Sequence, residues 1–129
     1  AGLKVSESPF ERVEPYFDLG LPVLIGNEPL IAAGLARGAV GTVSGMSAAF
    51  PDVVREALDA GDAAAMERLR AVRGAMEASG QFIAAAKHVL GMRGVAVGPG
   101  MRAPLRRLTP AEASALETAV NEVLERAAA

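Results

Sequence analysis

The sequence predicts an α/β protein: three βα units with parallel strands, followed by a purely helical region. Three observations lead there. Short apolar runs alternate with helix-like stretches over the first part of the chain, the pattern of parallel strands joined by right-handed crossovers. After Pro51 the pattern changes, and apolar residues such as Met66, Leu69, Val72 and Met76 recur at helical spacing. Alanine supplies much of the 51% hydrophobic content and has the best intrinsic helix propensity, while 14 glycines and 8 prolines keep the elements short.

In order, Ala1-Gly2-Leu3-Lys4-Val5 reads as a buried strand with a lysine inside it. Ser8-Pro9-Phe10-Glu11 is a capping box with proline at the first helical position, and Pro15 keeps that helix brief because it has no N–H to bond back to Glu11. Leu21 to Ile25 is apolar on both faces, as parallel strands are. Gly26-Asn27-Glu28-Pro29 turns the chain into a helix to Arg37, which Gly38 ends. Ala39 to Ser44 is a third strand, Gly45 to Ala49 a loop, and Phe50-Pro51 opens a helix that stops at Gly61. Asp62 caps a longer helix to about Ala78, which Ser79-Gly80 breaks, and Gln81 to Leu90 is another helix, ended by Gly91. Arg93 to Leu108 is a connector without periodicity. Thr109-Pro110-Ala111-Glu112 is a second capping box, and the helix it starts runs to the terminal alanines with Leu116, Val120, Val123 and Leu124 on one face. Residues 1–60 thus form the βα part and 61–129 the helical part. Three short parallel strands cannot close on themselves and leave both sheet edges unpaired, so another chain completes the sheet or the sequence is a piece of something larger.

Composition removes several function classes. Thirteen basic against fifteen acidic residues, net −2, give no basic excess for nucleic acid. The absence of cysteine excludes a disulfide framework, a thiolate metal site and a cysteine nucleophile. A single histidine, His88, excludes a multi-histidine metal site. No apolar run reaches the roughly 20 residues that span a bilayer, and no basic segment leads into an apolar one at the start. The expectation is a cytoplasmic protein without nucleic-acid or membrane partners.

Several motifs, in order and spacing, resemble the dihydrodipicolinate synthase / N-acetylneuraminate lyase family of class I, pyruvate-linked aldolases. They are Gly2-Leu3-Lys4-Val5-Ser6, Gly26-Asn27-Glu28, Gly38-Ala39-Val40-Gly41-Thr42-Val43-Ser44-Gly45, Phe50-Pro51, Gly61-Asp62, Ala-Ala-Lys-His-Val-Leu-Gly around Lys87, and Arg102-Ala103-Pro104-Leu105. The resemblance covers nearly the whole chain but only the C-terminal half of the family's. It implies the C-terminal part of a (β/α)8 TIM barrel, its last three βα units, followed by a helical C-terminal domain. It also implies a homo-oligomer, commonly a homotetramer, and no cofactor or metal. The family's hydroxyl pair for the pyruvate carboxylate and its proton-relay tyrosine would precede residue 1, and Tyr16 does not match the relay position. The chain is therefore expected to need the N-terminal half of the barrel for activity.

By resemblance Lys4 is the catalytic, Schiff-base lysine. Such a lysine must be neutral to attack a carbonyl, against a reference pKa of about 10.4, and an apolar barrel lowers that value by desolvation. From the residues alone, a strand-end lysine snorkelling to solvent is the ordinary reading. Gly26 and Val43 line the pyruvyl pocket with backbone by resemblance; alternatively Gly26 is a strand-to-helix turn and Val43 a core residue. Glu28 either contacts the distal part of the substrate or is a charge placed to suit a helix dipole. Ser44 and Gly45 border the same pocket. Lys87 reads as a solvated or ion-paired helix residue, His88 as packed or partner-bonded, and Arg102, Arg106 and Arg107 as a solvated connector. Aspartate semialdehyde condensation, sialic acid cleavage and keto-deoxy sugar acid cleavage all fit the family. Asn27-Glu28 tilts toward a sugar-acid or general keto-acid lyase, because the synthases usually carry Asp-Asp there. The alternative function is a non-catalytic fragment that completes a barrel or mediates assembly.

Overall fold

The computed structural model describes residues 1–126. It is an α/β chain with three parallel strands and seven α-helices among the described residues. The chain divides into two compact units, residues 1–69 and residues 70 onward.

In the first unit, strands β1 (Leu3–Val5), β2 (Val23–Ile25) and β3 (Gly41–Thr42) pair in the order β1-β2-β3. Leu3 sits opposite Val23, Lys4 opposite Leu24 and Val5 opposite Ile25; Leu24 and Ile25 then face Gly41 and Thr42. Strand alternation sends Val5, Val23 and Ile25 into the buried core and puts Lys4 and Leu24 on the other face. The first crossover holds α1 (Phe10–Val13) and a 3-10 turn Glu14–Leu19; the second holds a 3-10 turn Glu28–Leu30 and α2 (Ile31–Arg37). Gly34 of α2 lies against β2: a Cβ there would stand 2.4 Å from Cγ1 of Ile25, so glycine lets the helix seat on the strand. Gly38, at φ 107°, ends α2 with paired bonds, its own N–H to Leu35 O and that of Ala39 to Gly34 O, a Schellman closure. Arg37 binds Asp18 at 3.0 Å and lies 5.3 Å over the Phe17 ring, joining the end of α2 to the first crossover.

After β3 come α3 (Met46–Ala49) and α4 (Pro51–Ala60). Val53, Val54 and Ala57 bury one face of α4, while Arg55 and Asp59 pair on the exposed one. Helix α5 (Ala63–Glu77) starts where Asp62 Oδ1 accepts from Ala65 N at 2.8 Å, an N-cap as expected, and the division between the units falls within this helix. Met66, Leu69, Val72 and Met76 are all buried along it.

The second unit contains α6 (Phe82–Met92), a connector and α7 (Pro110–Arg126). Ala84, Ala85 and Val89 bury one face of α6, and Leu116 and Val120 one face of α7. The capping box at Thr109 is closed on both sides: Thr109 N donates to Glu112 Oε2 at 2.8 Å, and Glu112 N to Thr109 Oγ1 at 3.2 Å. Arg106 grips the same carboxylate with two bonds of 2.7 Å. The Arg106 bonds first, and then the Thr109 amide, hold the Glu112 carboxyl down from 4.5 to about 2. Because the folded value lies below the unfolded one, this contribution to stability is complete above the ordinary carboxylate range. It is lost as pH falls through about 2. An NMR titration is expected to place the Glu112 midpoint near 2, with a shallower acid limb of unfolding in Glu112→Gln. A midpoint near the ordinary value of 4.5 would mean that the box is open in solution.

Four expectations are corrected. Each strand is shorter than expected, because ladder bonds begin only where the neighbour strand is alongside; Pro22, for instance, offers only its carbonyl, to Leu3 N at 2.8 Å. Ser8 does not cap α1: the N-cap falls on Pro9, which has no side-chain oxygen to accept from the N–H groups of the first turn. The first α-helix is brief, four residues, as expected from Pro15, and the path continues as 3-10, where the missing N–H of Pro15 falls in the first turn and costs nothing. The Gly45–Ala49 loop contains α3. Gly91 lies inside α6, which ends instead at Gly94 (φ 81°) with Val95 N bonded to Leu90 O and Gly94 N to Gly91 O, again a Schellman closure. The expected continuation of α7 into residues 127–129 lies outside the described residues.

Candidate active site

The C-terminal ends of the three strands bring several of the singled-out residues together. The ladder extends one residue past each strand: Gly26 N donates to Val5 O at 2.6 Å, and Val43 N to Ile25 O at 3.0 Å. Alternation then places Lys4 and Ser6, Leu24 and Gly26, and Gly41 and Val43 on one sheet face. Space confirms the placement. A Cβ on Gly26 would meet Ser6 Oγ at 2.1 Å and Lys4 Cε at 2.6 Å. The lysine stem therefore lies across the bare backbone of Gly26, and any larger residue there displaces it. Val43, 50% exposed, stands beside Gly26 on that face, and Lys4 is exposed.

Glu28 is arranged differently. It is the one charged residue buried among the described residues, 7% exposed, in the 3-10 turn after β2. Its Oε1 accepts from Met46 N at 3.5 Å, the first amide of α3. Ser44 Oγ adds an acceptor for Ser47 N at 3.4 Å. These two side chains meet helix-start amides that have no partner within α3, which explains why residues expected to loop become helical. Gly45, exposed, is the residue from which α3 starts. The carboxylate of Glu28 thus ties the loop after β2 to the loop after β3. Lys4, Gly26 and Val43 form one cluster on the sheet face; Glu28, Ser44 and Gly45 form another at the loops. Ser6 was not singled out from sequence. Its signal was its position two residues past Lys4, on the same strand face.

In the second unit Lys87 Nζ donates to Gly100 O at 2.6 Å, and His88 Nε2 lies 2.7 Å from Glu117 Oε1. Tyr16 donates to Glu7 at 2.7 Å, which pushes its phenol pKa up from 10.0. Among the described residues no group of three or more His, Cys, Asp or Glu could hold a metal ion, and no helix is long and apolar enough to cross a membrane.

No protein-family model matches the chain. Individual relatives do. An uncharacterized DapA-like lyase of Halobacterium salinarum is 38% identical over 104 residues, covering 75% of this chain and 34% of its own. An uncharacterized DapA-like lyase of Chloroflexus aurantiacus is 42% identical over 79 residues, covering 56% of this chain and 26% of its own. The 4-hydroxy-tetrahydrodipicolinate synthase of Methylacidiphilum fumariolicum SolV superposes on 99% of this chain with a TM-score of 0.77 and 25% identity. The chain belongs to the dihydrodipicolinate synthase / N-acetylneuraminate lyase family. Other structures with this fold include the N-acetylneuraminate lyase of Proteus mirabilis, at a TM-score of 0.74 and 20% identity, and the KD(P)GA of T. tenax, at 0.80 and 21%. The chain spans about a third of the length of the first curated relatives and under half of each of these structures, 44% and 47%.

Proposed function

We propose that residues 1–60 supply the last three βα units of a (β/α)8 barrel, with the helical region from residue 61 as its C-terminal domain. The whole protein then acts as a class I aldolase-type lyase or synthase on pyruvate or another 2-keto acid. The supporting observation is the lysine stem of Lys4 lying across Gly26 at the strand ends, the end at which barrel enzymes hold their chemistry. The remaining strands come from outside the described residues, in the same polypeptide or a partner. Two observations favour this: β1 and β3 each pair on one side only among the described residues, and the Lys4 face of the sheet exposes Lys4 and Val43. Covered by those strands, Lys4 would be desolvated and so a better nucleophile.

The amine of Lys4 adds to the C2 carbonyl of the 2-keto acid, and the carbonyl oxygen leaves as water, giving an imine. The protonated imine accepts the electron pair left when C3 loses a proton. The resulting enamine attacks an aldehyde carbon in the synthetic direction, and the reverse steps cleave the bond. Hydrolysis returns the free lysine. Gly26 and Val43 line the pocket beside Lys4. Glu28 shapes the outer part of the pocket indirectly, by holding the start of α3, and Ser44 and Gly45 border it; the Asn27-Glu28 motif tilts the reading toward a sugar-acid or general keto-acid lyase. The assembled protein works as a homo-oligomer in the cytoplasm, with no metal or organic cofactor.

The test is borohydride reduction in the presence of pyruvate, on the protein together with every chain that completes its barrel, followed by peptide mapping. A reduced pyruvyl adduct on the peptide carrying Lys4, absent in Lys4→Met, is the expected result. With pyruvate in excess and the barrel complete, no adduct would overturn the lyase reading and leave the barrel-completing role in first place.

A further inference from the structure

The second unit contains a cleft of about 500 Å³, within the range of about 300–1,000 Å³ typical of small-molecule sites. It lies between α6, the connector and α7. Small residues create it. Ala84 and Gly91, seven apart on α6, and Ala113 on α7 put little side-chain bulk into the space beside the helix contact. Val97 and Leu108 of the connector add apolar wall.

The polar groups around that wall are few and unequal in charge. Glu117 is the one acid lining the cleft, and it is engaged by His88 at 2.7 Å. Two basic side chains line the same cleft, Lys87 and Arg107. Lys87 gives one N–H to Gly100 O at 2.6 Å and keeps two more. The Arg107 guanidinium has no side-chain partner among the described residues. The cleft is therefore cationic in a chain whose net charge is −2.

We propose that this cleft binds a small organic anion, a carboxylate or phosphate group carried on an apolar body. The anionic group pairs with Arg107 and Lys87, and the apolar body fills the space left by Ala84, Gly91 and Ala113. A planar guanidinium with free donors matches either oxyanion in a two-point grip. No residue that lines it belongs to the strand-end cluster around Lys4, and the proposal does not depend on the lyase reading.

Amide NMR titration of the protein with benzoate, phenyl phosphate and neutral benzamide tests it. Saturable shifts at His88, Gly91 and Ala113 are expected with benzoate or phenyl phosphate at a Kd of about 1 mM or tighter. The tighter of the two identifies the head group, and benzamide is expected to bind about tenfold more weakly. Ala113→Leu fills the space and is expected to abolish the shifts. Arg107→Gln, at an exposed position that leaves the core untouched, is expected to weaken binding about tenfold. Equal binding of benzamide, shifts confined to Lys4 and Gly26, or an Arg107→Gln variant that binds as tightly as the parent would each overturn the proposal.

Discussion

Replacing Phe50 by alanine is expected to lower the stability of the chain by about 3–5 kcal/mol, the usual cost of removing a buried ring. Phe50 is fully buried and is the largest of the wholly enclosed side chains. It stands at the junction of α3 and α4, where its N–H bonds to Met46 O at 2.8 Å and its carbonyl accepts from Val54 N at 3.0 Å. The loss has two parts, the transfer energy of the ring and the cavity it leaves. Since domains are stable by only about 5–15 kcal/mol, this is a large fraction of the total. Urea unfolding followed by circular dichroism measures it. Phe50→Leu, which keeps most of the volume, is expected to cost well under half as much. A change below about 1 kcal/mol for Phe50→Ala, the range of ordinary surface changes, would contradict the packing described.

Gly26→Val is expected to act on chemistry far more than on folding. The new Cβ would overlap Ser6 Oγ and Lys4 Cε, at 2.1 and 2.6 Å. Both are ends of side chains and can swing aside, so the fold survives. The lysine cannot then keep its place across the strand end. A displacement of about 1 Å at a reacting group costs on the order of a hundredfold in rate, and that is the expected fall in the rate of pyruvyl adduct formation. Combining Gly26→Val with Ser6→Ala relieves the hydroxyl clash and leaves the one with Lys4. The double variant is expected to recover stability but not the rate. Full recovery of the rate would show that Ser6, and not the lysine stem, suffers the displacement.

Much of this was legible along the chain. The three strands, the helices that follow them and the Asp62 and Thr109 caps obey local rules, because a cap needs only an acceptor three residues from an amide. Lys4, Gly26 and Val43 could be named from the motifs that carry them. That Lys4 and Gly26 touch follows from parallel register, which pairs Lys4 with Leu24 and so sets Gly26 beside Ser6. Helix α3 was not legible, since the acceptor for its first amide is Glu28, 18 residues earlier. Nor was the end of α6. Gly91 and Gly94 offer the same freedom, and the Schellman bonds that the connector makes choose between them.

The sequence by itself determined the order of the elements, the parallel sense of the strands and which residue types could carry chemistry, because those depend on periodicity, propensity and spacing within a few residues. Only the tertiary structure decided where each strand pairs, that Glu28 turns inward to hold a helix start, and that Ala84, Gly91 and Ala113 open a cleft beside two cations. Each of these depends on groups far apart in the chain meeting in space, and no local pattern encodes that meeting.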